Sequence, residues 1–480
     1  MLDLRGFLDK SKEEGDLLEL QGVDWDVELG TITELLAEKG GPALLFDKFK
    51  DYPEGYRVAT DMYTTIRRFA MAIGMPPNTN GLDIIKKWRA VDFRPVKPAQ
   101  VKTGPVMENV DIGDDVNLFK FPVPRYHEQD GGRYIGTCVA VIIRDPDEGY
   151  VNVGVQRVML HDENTVGLYV SPGKHNAIIR KKYWSKGKSC PVVMDFGPAP
   201  ILFLSAASHV SWGISEFEWA GYLVNEPLKV IPGEITGLPI PANSEITIEG
   251  EYLPPEVESR IEGPLGEWTG YYGGGKRSEP VVRVKAVYHR NRPILAGAPP
   301  IKPPNYAFAV QVRTTPLLWN ELEKAGIRGI RGVWEHGAGG GRMITIISLK
   351  QEYGGHAMRA ALTAVGSHAG GYMSKLVIVV DDDIDPTDTN EVLWAVASRA
   401  NFESSVNIIK GCWGTRLDPA LPPEKRERGD LTHSVMIIDA CKPFYWKDRF
   451  PPVNKASEEL RTRVIEKWVN KIPLLKERVK

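Results

Sequence analysis

Residues 134–160 read YIGTCVAVIIRDPDEGYVNVGVQRVML, and this stretch decides the fold class. The first eleven residues are rich in Val and Ile, as is 150–160, and Asp145-Pro146-Asp147-Glu148-Gly149 between them is turn chemistry. A second turn at 161–165 leads into another strand at 166–170. Successive strands joined by short turns pair antiparallel. Further strands are expected at 191–196, 228–231, 245–251 and 281–289, with Asn291-Arg292-Pro293 breaking the last from 294–296. The middle of the chain is therefore an antiparallel sheet or small barrel, with helical inserts such as 214–223.

Outward from this centre the texture changes to α/β on both sides. Toward the N-terminus, helices are expected at 2–20, 28–39, 64–73 and 82–89, with a short buried strand at 43–46. A connector at 93–124, with prolines at 95, 98, 105, 122 and 124, marks a boundary. Toward the C-terminus, strands at 344–349 and 375–380 flank a helix at 356–365. Asp388 to Glu391 carries a capping signal for one more helix. The tail, 456–472, places Leu460, Val464, Trp468 and Ile472 at a spacing of four, one apolar stripe to dock on its own chain or on a partner subunit. The expected class is α+β, divided into an N-terminal α/β region (1–115), a central antiparallel domain (116–315), a C-terminal α/β domain (316–450) and a terminal helix (451–480).

The bulk numbers exclude several classes. The 480 residues are 42% hydrophobic and 25% charged, a globular profile. Lys+Arg 60 against Asp+Glu 62 leaves a net charge of −2, so no basic excess points to nucleic acid or an anionic membrane. No apolar run reaches the length of a membrane span. Residues 1–20 are charged throughout and lack the order of a secretory signal, and the four cysteines are far apart with no CxxC. A cytoplasmic protein without disulfides or a cysteine-based zinc site is expected.

Four segments can carry chemistry. In Glu262-Gly263-Pro264-Leu265-Gly266-Glu267-Trp268-Thr269-Gly270-Tyr271 two carboxylates flank a Gly-Pro-x-Gly core. Paired acids beside a cation can separate in pKa so that one donates a proton at neutral pH; the same spacing also fits a solvated surface turn. In Asn152-Val153-Gly154-Val155-Gln156-Arg157 an arginine follows valines, either an anion or flavin contact or an edge-strand residue reaching solvent. Lys174-His175 lies in a loop after a strand, open to phosphate or metal or merely exposed. Glu216 or Glu218, in SEFEWAG at 215–221, is a metal carboxylate or the polar face of a short helix. Such N/O donors suit Mg²⁺ or Mn²⁺ better than zinc. Two further runs read as structural: GAGGG at 337–341 precedes a strand rather than a helix, and Asp381-Asp382-Asp383-Ile384-Asp385 leads into a helix N-terminus.

Together these segments resemble the UbiD family of reversible decarboxylases that use prenylated FMN. The resemblance rests on NVGVQR at 152–157, Lys174-His175, SAAS at 205–208, SEFEWAG at 215–221, EGPLGEWTGY at 262–271 and VVDDDID at 379–385, in family order. It implies a central FMN-binding split β-barrel between two α/β parts. It implies a catalytic set of Arg157, Glu262 and Glu267, with Glu267 the proton donor, Glu262 holding Arg157, and Arg157 orienting the substrate carboxylate. Asn152, His175 and Glu216 would bind Mn²⁺ or Mg²⁺ on the cofactor phosphate. A potassium ion would lie on main-chain groups around Ala207, Ser208 and Val210. Thr137, Val155, Gln156 and Lys174 would line the flavin site. The chain departs from the ubiquinone-pathway members, which have Asp where Glu267 stands, and its 207–216 segment is shorter than in cinnamate-type enzymes. GVWEHG at 332–337 and GCWGT at 411–415 look most like the hydroxyarenecarboxylate branch, with His336, His368 and Lys442 as expected pocket residues. The implied partners are a small aromatic, phenolic acid and CO₂, a flavin prenyltransferase as cofactor supplier, and further copies in a homo-oligomer, dimer or hexamer. A heteroaromatic or α,β-unsaturated acid is the alternative substrate. An ordinary flavin oxidoreductase and a carboxylase subunit are the competing classes.

Overall fold

In the computed structural model, which describes residues 2–304, 309–472 and 475, the 134–160 hairpin forms, but both of its arms are interrupted. The first arm runs as Tyr134–Gly136 and Ala140–Arg144, the second as Val151–Gly154 and Arg157–Asp162. Near the turn the arms pair from Val141↔Gly154 to Arg144↔Val151, and beyond the breaks Gly136 faces Val158 and Tyr134 faces Met159. At the breaks, side chains take over from the ladder: Asn176 Nδ2 donates to Val141 O and to Gln156 Oε1, and Thr137 Oγ1 accepts from Ala298 N.

These breaks turn a sheet into a barrel. The antiparallel path runs from Tyr134–Gly136 through Arg157–Asp162, Thr165–Tyr169, Arg277–His289, Ile246–Tyr252, Cys190–Asp195 and Ala140–Arg144 to Val151–Gly154. Its two ends are the two arms of one hairpin, so the sheet curls back on itself. Arg277–His289 is the hub, paired with four strands: Thr165–Tyr169, Ile246–Tyr252, Ser259–Glu262 and Asn109–Ile112. Both faces are covered. Val141 and Ile143 enter one apolar core while Ala140 and Ile142 enter another, which explains the unbroken AVII run.

The N-terminal region differs from expectation: its sheet holds a strand that was not expected, Arg57–Thr60, antiparallel to Ala43–Asp47. Residues 2–20 do not form one helix: Leu4–Glu13 is helical, and Leu17–Gln21 is a strand parallel to Ala43–Asp47. Gly15, at φ 69°, ends the helix, and pairing with 43–47 outweighs the helical periodicity. The fourth strand of this sheet, Ile294–Ala296, comes from beyond the barrel. The C-terminal domain is a five-stranded mixed sheet whose central strands, Ile344–Leu349, Leu376–Asp381 and His433–Asp439, run parallel. The tail forms the helix Glu458–Trp468, but its stripe docks on nothing within the described residues: Leu460, Val464, Trp468 and Ile472 are 40%, 42%, 39% and 42% exposed.

Candidate active site

Arg157 opens its strand directly after the break in the second arm. Its Nη2 donates to Glu262 Oε2 at 2.7 Å and its Nη1 to Glu267 Oε1 at 2.9 Å. The guanidinium lies 4.8 Å over the ring of Tyr169, its cross-strand neighbour. Arg157 Nε is buried with no hydrogen-bond partner, an orphaned donor in an otherwise satisfied group.

The loop after Ser259–Glu262 places the two acids. Gly263, at φ 83°, turns the chain, and Gly131 packs so close that a Cβ there would lie 2.0 Å from Gly263 O. Pro264 O accepts from Gly131 N at 2.8 Å and from Tyr134 Oη at 3.3 Å. Glu267 sits at the next turn, with its N–H on Tyr271 O and its O accepting from Gly270 N. Glu262 is fully buried, and its second oxygen accepts from Tyr134 Oη at 3.1 Å. Glu267 differs: burial pushes its carboxyl above the usual range, Glu262 pushes the same way, and Arg157 and Arg277 offset only part. One acid is thus locked by hydrogen bonds to both oxygens, while burial shifts its neighbour toward the protonated form.

A second cluster lies on the other side of the same break. Asn152 stands on Val151–Gly154, and His175 and Glu216 are the first residues of the helices His175–Trp184 and Glu216–Val224. His175 Nδ1 is 3.1 Å from Asn152 Oδ1, and Glu216 Oε2 accepts from Val153 N at 2.6 Å. Burial pushes the Glu216 carboxyl up to about 8, and no cation is paired with it among the described residues. A buried carboxylate with no paired cation, bonded to the strand that also carries the Asn152 amide, with the His175 imidazole on that amide, is a donor set that fits a hard or borderline divalent ion. Among the described residues no three His, Cys, Asp or Glu side chains gather into a metal cluster; here an amide completes the set.

The other expected residues fall around the seam or away from it. Thr137 and Gln156 lie in the two strand breaks, with Val155 packed on the larger core. Lys174 is exposed at the N-cap before His175. Ser208 Oγ is taken up by Trp88 Nε1 and Leu204 O, its N–H donates to Ser205 O, and Val210 is buried. The expected pocket residues of the C-terminal domain are engaged elsewhere. Lys442 Nζ bonds Asp383, His336 bridges Thr389 and Ala338 N, and His368 packs near Trp413. The 381–385 acids are structural, as expected: Asp381 and Asp383 hold Arg399. Three site residues were invisible in the sequence. Tyr134 bonds Glu262, Tyr169 packs against the Arg157 and Arg277 guanidiniums, and Arg277 stands across from Glu262; the tertiary fold makes these contacts, which no local spacing encodes.

The chain matches family models described as the 3-octaprenyl-4-hydroxybenzoate carboxy-lyase N-terminal domain over 8–88, the Rift-related domain over 97–303 and the C-terminal domain over 310–440. It is 35% identical to a pyrrole-2-carboxylic acid decarboxylase of Pseudomonas aeruginosa, covering 97% of each chain. It is 31% identical to a phenolic acid decarboxylase of Bacillus subtilis, covering 92% of each. The fold superposes on the open form of the vanillic acid decarboxylase of Sedimentibacter hydroxybenzoicus with a TM-score of 0.85, at 29% identity, over 100% of this chain and 99% of the other. It also superposes on the UbiD-class enzyme HmfF from Pelotomaculum thermopropionicum in complex with FMN, with a TM-score of 0.85 at 28% identity, over 95% of this chain and 98% of the other. Matched along nearly its whole length in sequence and in fold, the chain belongs to the UbiD family of carboxy-lyases.

Proposed function

We propose that the protein is a prenylated-FMN-dependent enzyme that removes CO₂ reversibly, and without net oxidation, from an aromatic, phenolic carboxylic acid. The observation that carries this reading is the buried Arg157 shared by Glu262 and Glu267. Bound at the seam, the modified flavin supplies the electron sink that makes loss of CO₂ from an aromatic carbon feasible. The chain's own residues do the rest. Arg157, with its unpartnered Nε, would contact the flavin and help orient the substrate carboxylate. Glu262 is held by Arg157 and Tyr134, and its charge favours the protonated form of Glu267. Glu267 delivers that proton to the carbon that CO₂ leaves. Thr137, Val155, Gln156 and Lys174 would line the flavin site, Asn152, His175 and Glu216 would hold Mn²⁺ or Mg²⁺ for the cofactor phosphate, and main-chain groups around Ser208 would take a potassium ion. A flavin prenyltransferase supplies the cofactor. The exposed tail stripe supports a homo-oligomer, as a second copy would cover it.

The 35% identity to a pyrrole-2-carboxylic acid decarboxylase favours a second reading of the substrate, a heteroaromatic acid. Both are tested together. Protein co-expressed with a flavin prenyltransferase is supplied with phenolic and heteroaromatic acids, and CO₂ release is measured for the wild type and Glu267→Gln. The expected result is release by the wild type and its loss in the variant with flavin content unchanged. Full activity in the variant overturns the role of Glu267.

A further inference from the structure

The Arg157 guanidinium is already committed. Both of its Nη atoms are bonded to the two glutamates, so an incoming carboxylate must displace one of them or find another cation. A second guanidinium lies beside it. Arg277 stands directly across from Glu262 in the Ser259–Glu262 ladder, so the two share a face of the sheet. Its guanidinium packs 4.4 Å from the same Tyr169 ring that carries Arg157. A Cβ on Gly274 would lie 2.3 Å from Arg277 Nη2 and 3.8 Å from Glu267 Oε1, so both atoms crowd this one glycine. Arg277 has no hydrogen-bond partner among the described residues; its one ion pair is a loose one, Nε to Glu279 at 3.8 Å. Its side chain is 31% exposed, against 9% for Arg157, so it reaches open space while Arg157 is enclosed.

Glu262, Glu267 and Glu279 surround the two arginines. Apart from the enclosed Arg157 Nε, the donors left unused on that face belong to Arg277. A planar guanidinium with free donors, steadied on an aromatic ring, matches a carboxylate in a two-pronged geometry.

We infer that Arg277 is a substrate-binding residue that receives the carboxylate of the aromatic acid beside Glu267. The inference rests on the proposed decarboxylase reading and deepens it. Arg277 holds the carboxylate in the ground state, and that group leaves as CO₂, so its contribution belongs to binding more than to the chemical step. Loss of Arg277 therefore raises KM much more than it lowers kcat.

The test uses the holoenzyme, with Arg277→Gln and Arg277→Lys beside the wild type, each checked for flavin content and thermal midpoint. The probes are 4-hydroxybenzoate and pyrrole-2-carboxylate, with their decarboxylated counterparts phenol and pyrrole as inhibitors. Arg277→Gln is expected to raise KM for the acid about tenfold or more, with Arg277→Lys in between, while inhibition by the neutral counterpart is unchanged. A purely structural role moves both ligands together and overturns the inference. An unchanged KM with only the pH profile of kcat displaced assigns Arg277 to tuning Glu267, and also overturns it. If the wild type turns over neither acid, the decarboxylase reading of these substrates falls, and the inference falls with it. Turnover by the wild type with unaltered KM in Arg277→Gln removes the inference alone.

Discussion

Two regions of the molecule each set one arginine between two carboxylates. At the barrel seam Arg157 bridges Glu262 and Glu267; in the C-terminal domain Arg399 bridges Asp381 and Asp383. The parts are alike and the balance differs. Asp383 is partly exposed and also takes Lys442 Nζ. Burial alone would raise its carboxyl, but Arg399 and Lys442 hold it down at about 2. Asp381 is further pinned by Gln351 Nε2 and Lys442 N. Glu267 has burial without that surplus of donors, and its carboxyl rises. The lesson is that a charged triad becomes structural when cations and donors outnumber its needs, and becomes an acid–base device when one carboxylate is left undersupplied in a dry place.

Substitutions can break that contrast. Glu267→Gln carries the largest expected effect, a fall in kcat of about 10²–10⁴, the usual worth of a general acid. Glu262→Gln costs less in rate and acts on pH. In the proposed role Glu267 acts when protonated, so activity should fall as pH rises through its pKa; the Glu262 charge raises that pKa, and removing it should move the fall to lower pH. A profile that stays in place would separate Glu262 from its neighbour. Asp383→Asn should leave kcat untouched and, with more than a third of the side chain exposed and solvent-screened, cost about 0.5–1 kcal/mol of stability, read from denaturant unfolding. The sign follows from a lowered pKa: the Asp383 contribution is present above the unfolded carboxylate range and is lost as pH falls through about 2. The variant should therefore show a flatter acid limb of unfolding. The smallest effect is expected where no such balance exists. Leu460→Ser with Val464→Ser should change the stability of the isolated chain by no more than about 0.5 kcal/mol, while lowering the mass measured by light scattering if the stripe is an interface.

The contrast also marks what the sequence could tell. Glu262, Glu267 and Arg157 stood out because motif residues are local, and the run at 381–385 was read as structural because acids suit a helix N-terminus. The hairpin was legible from its Val-rich arms and Asp-Pro-Asp turn. The breaks at 137–139 and 155–156 were not, since they arise from Asn176 and Ala298, which come from elsewhere in the chain. The strand at Leu17–Gln21 was hidden in the same way, because its partner at 43–47 lies beyond the helix Glu28–Ala37. Arg277 lies ten residues past Glu267, and only the ladder with Ser259–Glu262 brings it back. Lys442 looked like a pocket residue in sequence, yet it spends its charge on Asp383.

The hub strand has a consequence for how the chain is born. Hairpin 134–162 and strand Thr165–Tyr169 leave the ribosome early, but their partner Arg277–His289 follows roughly a hundred residues later. At about 5–20 residues per second, an incomplete sheet with an open edge waits on the order of ten seconds for its closing strand. Such an edge is a template for wrong pairing with another nascent chain. Yield on overexpression should therefore depend on translation speed and chaperone supply, even where the finished fold is stable.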